Sequence, residues 1–161
     1  MNLIDPDAIT KRINGTQPSL AAIPVAREAI LNCRFLLLDR QSFALETTLA
    51  GHSAMRVARE AKQAECHVLL LYLATGSPEL HIERVRLWAS RGGHNISDAD
   101  IIRRYDRSLI HAPEAPRFVD DAVVLDNSGL RPLQMFVVRS GRVIWRADEL
   151  PEWVQASVQS L

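Results

Sequence analysis

The stretch Phe43-Ala44-Leu45-Glu46-Thr47-Thr48-Leu49-Ala50-Gly51 decides how the rest of the chain is read. An apolar strand pattern runs directly into an acid, two hydroxyls and small residues, and a helix pattern opens at His52. In α/β proteins the carboxyl end of a strand faces the crevice where ligands bind. A carboxylate at Glu46 is poorly placed for packing and well placed for a ligand above the sheet, with Thr47 and Thr48 adding hydroxyl groups. A solvated strand end accounts for the same local pattern.

Toward the N-terminus, Met1 to Ile4 reads as a short strand. Asp5-Pro6 supplies a helix cap and a proline at the first helical position. The helix from Asp7 to Ile13 stops at Asn14-Gly15, and a longer helix follows from Ser19 to Arg40. Toward the C-terminus, His52 to Ala64 is an amphipathic helix. The apolar run His67 to Leu73 has the length and flanks of a central parallel strand. Ser77-Pro78-Glu79 starts a helix that ends near Ser90 at Gly92-Gly93, and Ser97-Asp98-Ala99-Asp100 caps the next. Asp121 to Asp126 is a strand closed by the turn residues Asp126-Asn127-Ser128-Gly129. Met135 to Trp145, broken at Ser140-Gly141, is a hairpin, and Glu149 opens a last helix. This alternation predicts an α/β fold: a mostly parallel sheet flanked by helices, with a C-terminal β-hairpin, residues 1–161 forming a single domain.

Composition narrows the function. The 161 residues are 47% hydrophobic and 24% charged, with a net charge of zero. Zero net charge removes the bulk electrostatic basis for binding nucleic acid or a membrane surface. Basic character is local: six arginines lie between Arg84 and Arg107. The cysteines Cys33 and Cys66 fit buried, reduced thiols rather than a disulfide. There is no CxxC motif, and the histidines lack metal-ligand spacing, so no metal site is expected. No apolar signal core or membrane-length run is present, which makes the cytoplasm the expected location.

Some residues carry candidate chemistry. Phosphoryl transfer to a hydroxyl uses an aspartate to accept the proton, and Asp7 follows the first strand. The alternative is structural, with Asp5 capping the helix and Asp7 complementing its dipole. Arg84, Arg86, Arg91, Arg103, Arg104 and Arg107 form two helical clusters around Gly92-Gly93, which could hinge a lid. Arginine forks bind phosphate in two places and neutralise charge on migrating oxygens. A solvated charged face is the competing account, favoured by nearby Glu79, Glu83, Asp98 and Asp100.

Taken together, Ile4-Asp5-Pro6-Asp7-Ala8-Ile9, Ser42 to Leu49, Arg84-Val85, Arg91-Gly92-Gly93-His94, Arg103-Arg104-Tyr105-Asp106-Arg107-Ser108-Leu109 and Asp126-Asn127-Ser128 resemble, in order and spacing, the zeta-toxin family of P-loop small-molecule kinases. The resemblance covers roughly residues 3 to 128. It implies a P-loop kinase-like core, ATP with Mg2+ as donor, and a nucleotide sugar of the UDP-N-acetylglucosamine type as acceptor. It implies Asp7 as catalytic base; Glu46, Thr47 and Thr48 as substrate-binding residues; and Arg84, Arg91, Arg103 and Arg104 as phosphate-binding residues. It also implies an antitoxin partner, with self-association as an alternative. Two departures stand out. The chain starts at the second strand of the family pattern, with no glycine-rich loop ending in Gly-Lys-Ser/Thr. Trp88-Ala89 occupies the place of a second Arg-Val pair, which removes one lid arginine. Phosphotransfer by these residues is therefore expected to be impaired, and a non-catalytic relative that binds a nucleotide sugar or a partner protein is the alternative.

Overall fold

The computed structural model describes residues 1–14, 22–93 and 96–159. Strand β1 (Asn2–Ile4) is followed by α1 (Pro6–Asn14), α2 (Ala22–Leu38), β2 (Phe43–Leu45) and α3 (His52–Gln63). Then come β3 (Leu69–Ala74), α4 (Pro78–Ser90), α5 (Asp98–His111), a short 3-10 turn at Ala115–Phe118, β4 (Asp121–Asp126), β5 (Leu133–Arg139), β6 (Arg142–Arg146) and α6 (Glu152–Gln159). The fold is α/β. The predicted start of the second helix at Ser19 lies outside the described residues.

Local chemistry explains most boundaries. Asp5 caps α1, its carboxylate accepting the Asp7 amide at 2.7 Å. Ser97 caps α5, its hydroxyl accepting the Asp100 amide at 3.2 Å. Ser77 occupies the cap position of α4 without a side-chain bond, and Pro78 begins that helix. The β5–β6 hairpin turns on Ser140 and Gly141, whose φ values of 48° and 73° match the twist of flanking strands.

The sheet departs from expectation. Instead of one mostly parallel sheet, the described residues form two: β1 pairs in parallel with β2, and the second sheet has the order β3-β4-β5-β6. In the second, β3 and β4 are parallel, while β4, β5 and β6 run antiparallel. The apolar run at 67–73 therefore forms an edge strand, Leu69–Ala74, and not a central one. An apolar run specifies burial of side chains but not how many neighbours the strand finds.

Helix α3 ties the two sheets together. Its Met55 joins a core of Tyr72, Ala122, Val124, Phe136, Val138 and Val154 under the larger sheet. Its Val57 joins Ile4, Ile9, Val25, Ala29 and Cys33 beneath the smaller one. Burial pushes the Cys33 thiol up to about 11, so it stays protonated, and both cysteines are free. No helix among the described residues is long and apolar enough to cross a membrane.

Candidate ligand site at the strand ends

The carboxyl ends of β1 and β2 lie side by side because the strands are parallel and in register, with Ile4 opposite Leu45 and the Glu46 amide donating to the Ile4 carbonyl at 3.0 Å. Asp5, Asp7 and Glu46 are thus delivered to one rim. Their proximity shows in Glu46, whose carboxyl is raised above its ordinary value first by burial and then by the charges of Asp5 and Asp7. Glu46 nonetheless keeps broad solvent contact, so water screens this repulsion and its energetic weight is small. Asp5 is held by its capping role; Asp7 is half-buried one turn further on.

Past Glu46 the chain makes a tight bend. The Thr47 hydroxyl accepts the Leu49 amide at 3.2 Å. Leu49 takes a left-handed backbone at φ 56° while its side chain is buried, a conformation an L-residue keeps only when its surroundings hold it. The holding contact is visible: His111 on α5 donates through Nδ1 to the Leu49 carbonyl at 2.8 Å. Thr48 is exposed beside it.

The bend opens into a cleft of about 330 Å³ lined by Ala50, Gly51, His52, Arg107 and His111. Gly51 precedes α3 and offers no side-chain cap, leaving the first amides of that helix available to an acceptor. His52 and His111 rings lie 4.7 Å apart. Arg107 and His111, four residues apart, share one face of α5. That helix is anchored to the end of β3 by Tyr72 with Ser108 at 2.9 Å and by the Tyr105 hydroxyl donating to the Thr75 carbonyl at 3.1 Å. An acidic rim thus adjoins a cleft built from a guanidinium, two imidazoles and backbone donors. Such a pairing suits a ligand with hydroxyls at one end and anionic oxygens at the other.

The sequence-predicted residues divide. Asp7, Glu46, Thr47 and Thr48 gather at the strand ends. The predicted arginines do not converge there: Arg84 reaches the Gly129 carbonyl at 3.4 Å, and Arg103 pairs with Asp100 at 2.6 Å. Arg91 is exposed at the end of α4, and Arg104 is half-buried on α5. Among the described residues none of these four pairs with Glu46. Gly92 and Gly93, expected as a hinge, have local explanations. Gly92 ends α4 at φ 95°, and a Cβ on Gly93 would overlap the Trp88 ring. Trp88, at the place of the missing arginine, packs there instead. His94 lies outside the described residues. The Asp126–Gly129 segment is a turn, Ser128 bonding Asp126 and accepting the Gly76 amide at 2.9 Å. His52 and His111 carried no signal in the sequence, because their meeting depends on α5 crossing the start of α3.

The sequence holds no Gly-x4-Gly-Lys-Ser/Thr loop, and among the described residues no group of three or more His, Cys, Asp or Glu is arranged to hold a metal ion.

No protein-family model matches the chain, and no solved structure matches it. It is 32% identical over 103 residues to a protein of Haemophilus influenzae described only as uncharacterized; those residues are 64% of this chain and 74% of that protein.

Proposed function

We propose that this chain, which belongs to the same family as the uncharacterized Haemophilus influenzae protein, binds a nucleotide sugar of the UDP-N-acetylglucosamine type, as the acceptor side of a zeta-toxin-like kinase. The observation that carries the reading is the convergence of Asp5, Asp7 and Glu46 on one strand-end rim, felt electrostatically at Glu46, next to the cleft of Arg107, His52 and His111. In this reading Glu46 accepts a sugar hydroxyl and fixes its orientation. Asp7 stands where a base would take the proton of the hydroxyl to be phosphorylated. Arg107 and the open amides of α3 receive the diphosphate.

Positioning and charge neutralisation supply most of phosphoryl-transfer catalysis, and these 161 residues hold no cradle for the donor phosphates. The domain therefore binds acceptor and transfers phosphate poorly. The test is thermal unfolding with UDP-N-acetylglucosamine and without ATP. A ligand that binds the native state alone stabilises it by RT ln(1 + [L]/Kd), about 2.7 kcal/mol at one hundred times Kd. We expect a saturable rise in Tm that Glu46→Ala abolishes. A rise that survives Glu46→Ala would place the ligand elsewhere, and robust phosphate transfer from ATP by this chain would overturn the expected impairment.

A further inference from the structure

We propose that His111 is the positioning residue of the ligand cleft: its bond to the Leu49 carbonyl ties the two walls of the cleft together and sets how the strand-end bend meets a ligand. The proposal rests on the ligand reading above for what the cleft holds, while the tie itself stands on geometry. One wall is the bend and the start of α3, with Ala50, Gly51 and His52; the other is α5, with Arg107 and His111. The bond from His111 Nδ1 to the Leu49 carbonyl, 2.8 Å long, joins residues 62 positions apart. It crosses from one wall to the other immediately before Ala50.

Leu49 depends on that bond. Its backbone is left-handed, at φ 56°, a region that L-residues enter at a cost. It lies in neither a strand nor a helix, so its backbone groups need other partners. The Thr47 hydroxyl accepts the amide at 3.2 Å, and His111 donates to the carbonyl. Thr47 belongs to the bend and moves with it. His111 belongs to a different element, and that element is anchored. Tyr72 meets Ser108 at 2.9 Å, and the Tyr105 hydroxyl donates to the Thr75 carbonyl at 3.1 Å. Ala112, the next residue, is buried with Leu49 in the core of the larger sheet. The bend is thus held against a fixed helix.

The same bond fixes the ring. A carbonyl oxygen only accepts, so Nδ1 carries the hydrogen, and in the neutral ring Nε2 is left bare. The imidazolium also keeps a hydrogen on Nδ1, so the tie holds in either charge state. A histidine free in water favours the other tautomer, with the hydrogen on Nε2, which makes the tautomer a signature of the tie. Two substitutions separate the tie from simple packing. The amide nitrogen of an asparagine stands as far from the backbone as Nδ1 and keeps a donor; a leucine fills the space and has none.

The test is binding of UDP-N-acetylglucosamine to His111→Asn and His111→Leu, with the ring nitrogen NMR spectrum of the unaltered chain beside it. His111→Leu should weaken binding roughly tenfold, and His111→Asn should retain most of the affinity. Above the ordinary histidine value, about 6.5, the spectrum should show the His111 hydrogen on Nδ1. A hydrogen on Nε2 overturns the proposal, as does binding that His111→Leu preserves or that both variants weaken alike. If the unaltered chain binds no UDP-N-acetylglucosamine, the ligand reading falls and the tie is judged alone. The Leu49 amide should then exchange faster in His111→Leu than in His111→Asn, while amides of β4 keep their protection; equal exchange in the two variants overturns it. Should His111→Leu fail to fold, the ring spectrum of the unaltered chain decides.

Discussion

The smaller sheet of β1 and β2 and the larger sheet of β3 to β6 lean on the same helix, yet they are held in different ways. Beneath the larger sheet Phe136, Val138, Val154 and Ala122 are fully buried, and the ladder runs through four strands. The smaller sheet is two short strands covered by α1, α2 and α3, with Ile4 and Ile9 in its core and Leu3 exposed on its other face. An isolated pair of short strands is marginal by itself, so its order is borrowed from the helices. The candidate ligand rim sits on this weaker region. Ligand-binding loops are drawn from the parts of a structure that can still yield.

The largest effect that would sharpen this contrast is in the larger core. Phe136→Ala deletes a fully enclosed ring that β5, the strand between β4 and β6, sends into the core, and burial of that kind costs about 3–5 kcal/mol when removed. Urea unfolding should show that loss with an unchanged slope. A loss below 1 kcal/mol would mean the larger sheet is not the dominant core.

Ile9→Ala comes next. Ile9 lies on the buried face of α1 against α2 and β1. The loss should fall near the lower end for an isoleucine, about 2 kcal/mol, because the strands it supports are short. Native-state exchange should register it first in α1 and β1, while amides of β4 and β5 keep their protection. Equal loss of protection in both sheets would show that α3 couples them into one cooperative unit and that the two sheets do not differ in local stability.

Much of this architecture was legible in local chemistry, and the reasons differ by element. Strand β4 falls where the apolar run Asp121–Asp126 predicts it, since a strand bounded by acids and a turn leaves little freedom. The hairpin follows from Ser140-Gly141, and α5 from Ser97 and Asp100, because caps and tight turns are short-range effects. The division into two sheets was not legible: Leu69-Leu70-Leu71 reads equally well with a neighbour on one side or on both. The cleft was half legible. Glu46 and Thr47 announce a strand end, but Arg107 and His111 reach it from α5, through the contact of His111 with the Leu49 carbonyl, which no local pattern encodes. The arginine clusters left two readings open in the sequence, and in the fold Asp98 and Asp100 at the start of α5 take up Arg86 of α4 and Arg103 of α5.

The smallest effect separates the two regions by the sign of their pH dependence. At the smaller sheet, burial and then Asp5 and Asp7 raise the Glu46 carboxyl. A raised acid contributes stability below its ordinary value, about 4.3, and that contribution fades as pH climbs through the folded value. Next to the larger sheet, His81 on α4 lies 5.2 Å from the Tyr105 ring with its Nε2 buried and unpartnered. Burial, and then Arg84, lower its basicity. A lowered base contributes stability above its ordinary value, about 6.5, and loses it as pH falls through the folded value. Glu46→Gln should therefore raise Tm slightly at neutral pH and flatten the decline that begins above the ordinary glutamate value. His81→Gln should flatten the decline that begins below the ordinary histidine value. Both side chains retain solvent contact, so screening keeps the shifts small beside that of Phe136→Ala. Their directions carry the information. A Tm lowered by Glu46→Gln at neutral pH would mean that the carboxylate is welcomed at the strand ends, by a cation the acidic rim was thought to lack, and the rim would then be built to balance charge within the fold and not to receive the hydroxyl of a ligand.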